Sequence, residues 1–195
     1  MKGRDMKSFK ELAETVIEEN RAALLDMDTD EIDRLIEAIA GAKKIQVFGM
    51  GRMKCAVRAF TMRLMHMGLD AHVVYDTTCP NIGKGDLLIV NCGCTAVGLV
   101  VIRLAKKAGA TVCVITAHPD SEAGQLADFT VRLRAQVNPG NPDEQNSVQP
   151  MAACFEQSIF LFEDILIMML MEKLSVAAQQ MERRHTNVDG YMSID

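Results

Sequence analysis

Short runs rich in β-branched residues alternate with helix-length segments along most of this 195-residue chain, and that alternation constrains the fold more than any other feature. "KKIQVFGMG", "AHVVY", "DLLIVN", "TVCVIT" and "FTVRL" each read as a strand. Between them, Arg52 to Met67 places Val57, Phe60 and Leu64 on one inward helical face. A further helix spans Val97 to Ala108, and a short one lies near Ser121 to Ala127. Crossovers of this length imply βαβ units and a parallel sheet. Ahead of the strands, Phe9, Leu12 and Val16 share one face of a first helix. Ile32, Leu35, Ile36 and Ile39 form the apolar stripe of a second, opened by Asp28 and Glu31 as a capping box. The polar, Pro/Gly-rich loop Gln136 to Pro150 precedes a segment that is helical nearly to the end, through Leu161 to Leu174 and then about Val176 to Arg184.

Composition narrows the class of partner. A net charge of -5 and a pI near 5.4 argue against nucleic acid, because a surface that tracks phosphates leaves a basic excess. Arg52, Lys54, Arg58 and Arg63 cluster at helical spacing and read as a solvated face. The opening "MKGRDMKSFKELAETV" has no apolar signal region, so a cytoplasmic location is expected. The most apolar stretch, "SIFLFEDILIMMLMEKL", is interrupted by Glu163 and Asp164 and is too short to span a bilayer, so no membrane association is expected. Residues Ser158 to Met171 are instead apolar on more than one face, which predicts a buried or intersubunit helix. Six cysteines lack CxxC spacing and read as mostly buried thiols, neither disulfides nor a zinc site.

Open parallel sheets bind ligands beyond the carboxyl ends of their strands, where loops meet helix N-termini. Four such ends are legible: "FGMGRMK", "YDTTCPN", "NCGCTAV" and "TAHPDSE". The first holds Gly49-x-Gly51, but Lys54 stands where a dinucleotide fingerprint needs a third glycine. Asp76 at the next strand end would then serve a ribose. The competing reading is that the glycines only allow a tight turn. His118 lies at the last of these ends.

"VFGMGRMKCAVRAFTMRLMHMG", "YDTTCPNIGKGDLLIV", "PMAACFE" and "ERRHTNVDG", taken in that order, resemble the sugar isomerase (SIS) domain family in its 6-phospho-3-hexuloisomerase branch, over about Ile32 to Gly190. The resemblance implies a three-layer, doubly wound α/β fold around a five-stranded parallel sheet, with N-terminal helices and a C-terminal helical segment. Under it, residues 1–195 form a single domain, with N-terminal helices at about 5–40, an α/β core at about 44–133, the loop at 136–150 and C-terminal helices at about 151–185. It further implies a homotetramer (or dimer) that interconverts a 3-ketohexose 6-phosphate and fructose 6-phosphate without metal or organic cofactor. Carried over residue by residue, the glycine turn is matched at Gly49, Gly51 and Arg52, with Met53 in the serine's place. Thr77, Thr78 and Pro80 match the threonine loop. Glu156 matches the acidic residue, and Arg184, His185 and Asn187 match the terminal motif. Glu156 and His185 are the implied acid–base pair, one of them coming from a neighbouring subunit.

The Ser-Gly-Ser-Gly loop of the family departs here to Cys92-Gly93-Cys94-Thr95. A hydroxyl–phosphate hydrogen bond contributes roughly 1.5 to 3 kcal/mol and a thiol donates weakly, so losing two would cost about 3 to 6 kcal/mol unless replaced. Backbone N–H groups and a helix N-terminus would still attract an anion, aided by Thr77, Thr78, Thr95, Arg52 and Lys54. Cys94 at a helix start is also a candidate reactive thiol, against the plainer reading of a small packed side chain. Three functions stay open: a phosphosugar isomerase, a non-catalytic SIS module that binds or senses a phosphosugar, and a dinucleotide-binding domain.

Overall fold

In chain order the elements are α1 (Phe9–Leu25), α2 (Thr29–Gly41), β1 (Ile45–Phe48), α3 (Met53–His66), β2 (Ala71–Val73), β3 (Leu87–Asn91), α4 (Leu99–Ala108), β4 (Thr111–Thr116), α5 (Glu122–Leu126), β5 (Phe129–Arg132), α6 (Ala153–Leu174) and α7 (Ala178–Glu182). This computed structural model describes residues 7–93 and 98–187. The strands form one all-parallel sheet in the order β2-β1-β3-β4-β5. Successive strand residues face opposite sides, and each side meets helices. Ile45, Val47, Leu87, Ile89, Cys113 and Ile115 pack toward α2, α3 and α6. Phe48, Leu88, Val90, Val112 and Val114 pack toward α4 and α5. Because both faces are covered, the central strands read as unbroken apolar runs rather than alternating ones. The chain leaves β1 toward one edge and returns at β3 toward the other, so the topological switch lies between the carboxyl ends of β1 and β3.

Strand β2 stops at Val73, short of the expected Tyr75. Val74 N–H still bonds to Val47 O at 3.0 Å, but Tyr75 takes a positive φ of 70° and turns the chain out of the sheet. The short helix expected over about Val176 to Arg184 is confined to α7. The start of α4 expected at Val97 lies outside the described residues, and Gly98 is the N-cap.

Helix α1 docks through only the later turns of the face its apolar spacing marks, which Asn20 and Ala23 continue. Phe9 is 85% exposed and Leu12 is exposed as well, while Asn20 and Ala23 turn inward. The docking is polar at its centre. Asn20 donates to Gln157 Oε1 at 3.0 Å and accepts from Ser158 Oγ at 2.8 Å, tying α1 to α6. Helix α1 is opened by a Ser8–Glu11 capping box. At α2, Asp28 does cap, accepting from the N–H groups of Asp30 and Glu31, but Glu31 does not complete the box. Its carboxylate instead accepts from the Arg132 N–H at 2.7 Å, joining α2 to the edge strand β5.

The long loop is held by carboxylates from outside and within. Glu19 of α1 accepts from Ser147 Oγ (2.6 Å), Val148 N–H (2.7 Å) and Gln149 Nε2 (3.0 Å). Burial alone would push the Glu19 carboxyl up, but these hydrogen bonds outweigh it and hold it below its usual 4.5. A depressed carboxyl contributes stability that is present above the unfolded value and lost as pH falls through the folded one. Glu19→Gln is therefore expected to flatten the fall of the denaturation midpoint below about pH 4.5; an unchanged acid slope would show that the cluster is not an acid-sensitive clamp.

Candidate functional site

The glycine turn after β1 meets two separate requirements. A Cβ on Gly49 would lie 2.9 Å from Val57 Cγ2 and 3.3 Å from Met53 O, because the first turn of α3 packs directly on the strand exit. Gly51 has a φ of +58°, which an L side chain adopts at a cost. The turn delivers Arg52 to the N-cap of α3 and Met53 to its first residue. Arg52 makes no capping bond there. Its guanidinium reaches instead to Glu156 in the first turn of α6, with Nη1 2.9 Å from Oε2. The Arg52 side chain is 64% exposed and that of Glu156 only 18%, so the pair has one solvated and one sheltered end.

This pair lines a groove of about 820 Å3 whose other walls are mostly apolar, with Leu24 and Leu25 from α1, Phe160, Leu161 and Ile165 from α6, and Cys55 from α3. Thr77 and Thr78 sit in the exposed turn after β2. Asp76, which precedes them, is paired with Arg58 at 3.2 Å.

Cys92 leaves β3 with its side chain buried among the apolar residues packed toward α4, and its N–H bonds to Ile115 O at 3.0 Å. Gly93 is equally confined: a Cβ would meet Val137 Cγ2 at 3.0 Å. Its carbonyl accepts from the fully buried Thr116 Oγ1 at 3.0 Å, and Thr116 Oγ1 in turn accepts from the His118 N–H at 3.1 Å. Cys94 and Thr95 lie outside the described residues. Cys92 and Gly93, which precede them, are held by these contacts.

His185 is placed elsewhere. Helix α3 is 14 residues long, about 20 Å. Arg52 pairs with Glu156 at its start, while the His185 ring lies 5.1 Å from that of His66 at its end. Arg184 belongs to the same end, where its Nη1 donates to the His66 carbonyl at 3.1 Å. His66 is buried, and burial, then Arg63 and His185, lower its pKa. Within one chain, then, Arg52, Glu156, Gly49 and Gly51 come together, and His185 does not join them.

Two polar constellations near the crevice escape pattern reading. His118 Nε2 is 2.6 Å from Oε1 of the buried Glu144, whose other oxygen accepts from the N–H groups of Val137 (2.6 Å) and Asn138 (2.8 Å). Asn91 Nδ2 donates to Oε1 of Glu163, buried in the middle of α6, at 2.7 Å. The sequence does carry a trace of the second: Asn91 and Glu163 are the polar exceptions in two otherwise apolar runs. Among the described residues, no cluster of three or more His, Cys, Asp or Glu side chains is arranged to hold a metal, and no helix is long and apolar enough to cross a membrane.

Comparison with known proteins adds the family context. The family described as SIS domain matches residues 38–158. The chain is 32% identical to 3-hexulose-6-phosphate isomerase of Bacillus subtilis (strain 168), over 94% of this chain and 100% of that one. It is 34% identical to 3-hexulose-6-phosphate isomerase of Mycobacterium gastri, over 84% of this chain and 82% of the relative. Among solved structures, it superposes with a TM-score of 0.79 and 30% identity on a Methanococcus jannaschii protein described as having an inferred function of 3-hexulose-6-phosphate isomerase, covering 91% of this chain and 99% of that one.

The hold of Thr116 on Gly93 is open to test. Thr116→Val keeps the shape but leaves the Gly93 carbonyl and the His118 N–H without their side-chain partner. A loss of about 1 to 3 kcal/mol in chemical denaturation is expected, and a change within experimental error would mean that Thr116 does not hold Gly93 in place.

Proposed function

Because the chain belongs to the SIS domain family, we propose that it is a phosphosugar isomerase that interconverts a 3-hexulose 6-phosphate and fructose 6-phosphate. The observation that carries this reading is the Arg52–Glu156 ion pair at the switch-point crevice. It holds a carboxylate in a sheltered position beside a guanidinium that remains largely open to solvent. A dianionic phosphate competes for the guanidinium, since arginine binds phosphate oxygens in the same forked geometry as a carboxylate. Substrate would thereby draw Arg52 away and free Glu156 to act as a base.

The chemistry needs little else. Glu156 takes the proton from C2 of the 3-ketose, the C–H electron pair forms the C2=C3 double bond, and the C3 oxygen gains a proton to give the enediol. The C2 hydroxyl then loses its proton as the C2 carbonyl forms, and C3 receives a proton. One carboxylate can serve both carbon positions, and the oxygen protons move through a second acid–base group. His185 is the proposed second group. At the far end of α3 it serves the crevice of another copy rather than its own, which supports a homo-oligomer, proposed here as a tetramer. The exposed apolar residues Phe9, Ile17, Leu161, Ile165 and Met168 on α1 and α6 are the surface that such assembly would cover.

Binding of a phosphosugar without turnover is the second reading. The buried Cys92 side chain favours it, since it presents no hydroxyl to a phosphate. A coupled assay for fructose 6-phosphate formation separates the two. Glu156→Gln is expected to lower kcat by about 10² to 10⁴ with the fold intact. Turnover that survives the substitution rules Glu156 out as the base, and wild-type binding without turnover establishes the second reading. Light scattering at micromolar concentration is expected to give a mass above that of the 21.5 kDa chain; a monodisperse monomer rejects the shared-site arrangement.

A further inference from the structure

His185 follows the last helix on a segment that belongs to no regular element, and yet its surroundings fix it. The N–H groups of Arg184 and His185 bond back to Met181 O and Glu182 O, each at 3.0 Å, so the chain continues the turn of α7. Arg184 Nη1 donates to the His66 carbonyl at the end of α3, at 3.1 Å. Its guanidinium packs over Gly68, where a Cβ would come within 3.0 Å of Arg184 Cζ and Nη2. The His185 ring is thereby brought to 5.1 Å from the His66 ring, with the two planes 43° apart.

The same contacts decide which nitrogen can exchange a proton. A carbonyl only accepts, so His185 Nδ1, 3.1 Å from Thr186 O, is the protonated nitrogen of the neutral ring, and Nε2 carries its basic lone pair. A guanidinium only donates, so His66 Nδ1, 3.5 Å from Arg63 Nη1, is the unprotonated nitrogen of its own ring. His66 is 2% exposed, and burial, then the charges of Arg63 and His185, lower its pKa, so it offers an uncharged ring at neutral pH. Of the other ionisable groups here, Asp164 of α6 and Glu182 of α7 line the same hollow of about 460 Å3, while His72 and Asp70 of β2 engage each other at 2.7 Å. An uncharged neighbour matters, because His185 is a cation whenever it holds a second proton, and a charged His66 would repel it.

We propose that His66 and Arg184 are positioning residues for His185, fixing its ring at the end of α3 so that Nε2 is the nitrogen it presents to the crevice of another copy. The proposal rests on the isomerase reading above, in which His185 moves the oxygen protons. Nε2 gives a proton to the C3 oxygen as the enediol forms and takes one from the C2 hydroxyl as the C2 carbonyl forms, so the imidazole ends as it began. The Nδ1 proton stays on the Thr186 carbonyl throughout. His66 and Arg184 act only through His185, so their loss falls on kcat rather than on KM. It also falls on another copy's crevice, away from the Glu156 of their own chain.

The test is complementation, read by the coupled assay for fructose 6-phosphate formation. His66→Ala and Arg184→Gln are each expected to lower kcat by about ten- to a hundredfold at near-constant KM, and His185→Ala at least as far. His66→Phe, which keeps an uncharged ring, restores most of the loss. Each of the three weak variants is then co-expressed with Glu156→Gln. In mixed oligomers roughly a quarter of the crevices join an intact Glu156 to a correctly held His185, so activity rises well above that of either variant alone. Arg184 is exposed, so its variant decides alone should His66→Ala fail to fold. Recovery with His185→Ala but not with the His66 and Arg184 variants overturns the positioning role and leaves the shared site standing, as does a rise in KM with kcat unchanged. No recovery even with His185→Ala overturns the shared site, and the positioning role with it. No turnover by wild type overturns the isomerase reading and both of these.

Discussion

The burial of α6 against α3 and the sheet is the contact on which the arrangement of the crevice depends. Phe155, Ile159, Phe162, Leu166 and Leu170 along it are each 2% exposed or less. At roughly 1.5 to 3 kcal/mol per large apolar side chain, that ridge is the strongest single constraint on where the helix can sit. Its consequences run in two directions. Glu156, in the first turn, is carried to the mouth of the β1 turn, where Arg52 meets it. Glu163, two turns further on, is carried inward to Asn91. Apolar packing thus places two carboxyls of one helix in opposite environments, one paired with a cation at the crevice and one buried in the core against an amide.

Around this ridge, the irregular segments are held by buried polar groups rather than by apolar burial. Glu144 gathers the loop through the Val137 and Asn138 N–H groups and bonds to His118. Glu19 grips the loop's far side from α1, and Thr116 holds the Gly93 carbonyl where the chain leaves β3. A loop of this length buries little apolar surface, so its backbone donors need acceptors from the loop itself or from its neighbours. Carboxylates supply several at once, and the segment with the most polar composition is therefore among the most hydrogen-bonded.

Much of the fold was legible because its determinants are local. Strands β1, β3, β4 and β5 fall where the β-branched runs predict them, and Val57, Phe60 and Leu64 are buried as their spacing requires. The readings that moved are those in which a second element intervened. Phe9 and Leu12 are exposed because α1 is covered only along the later turns of the same face, at Asn20 and Ala23, and the Glu31 carboxylate leaves the cap to accept from the Arg132 N–H of β5. Tyr75 is β-prone but leaves the sheet at a positive φ. In the site, Gly49, Gly51 and Arg52 could be named from motif order, whereas the Arg52–Glu156 contact joins residues 104 positions apart and left no mark on local pattern.

By itself, the sequence determined the α/β alternation, the glycine turn, the polar loop and the residue types available at each strand end, since helix and strand periodicity and backbone permissiveness are properties of a few neighbouring residues. Only the tertiary structure decided which of those residues face one another. That choice separated Glu156 from His185 by the length of α3, turned the Cys92 side chain into the core, and set Glu163 against Asn91. The physical reason is that electrostatics and hydrogen bonding act through space over a few ångströms, and the burial that brings distant positions within that range is a property of the packed whole.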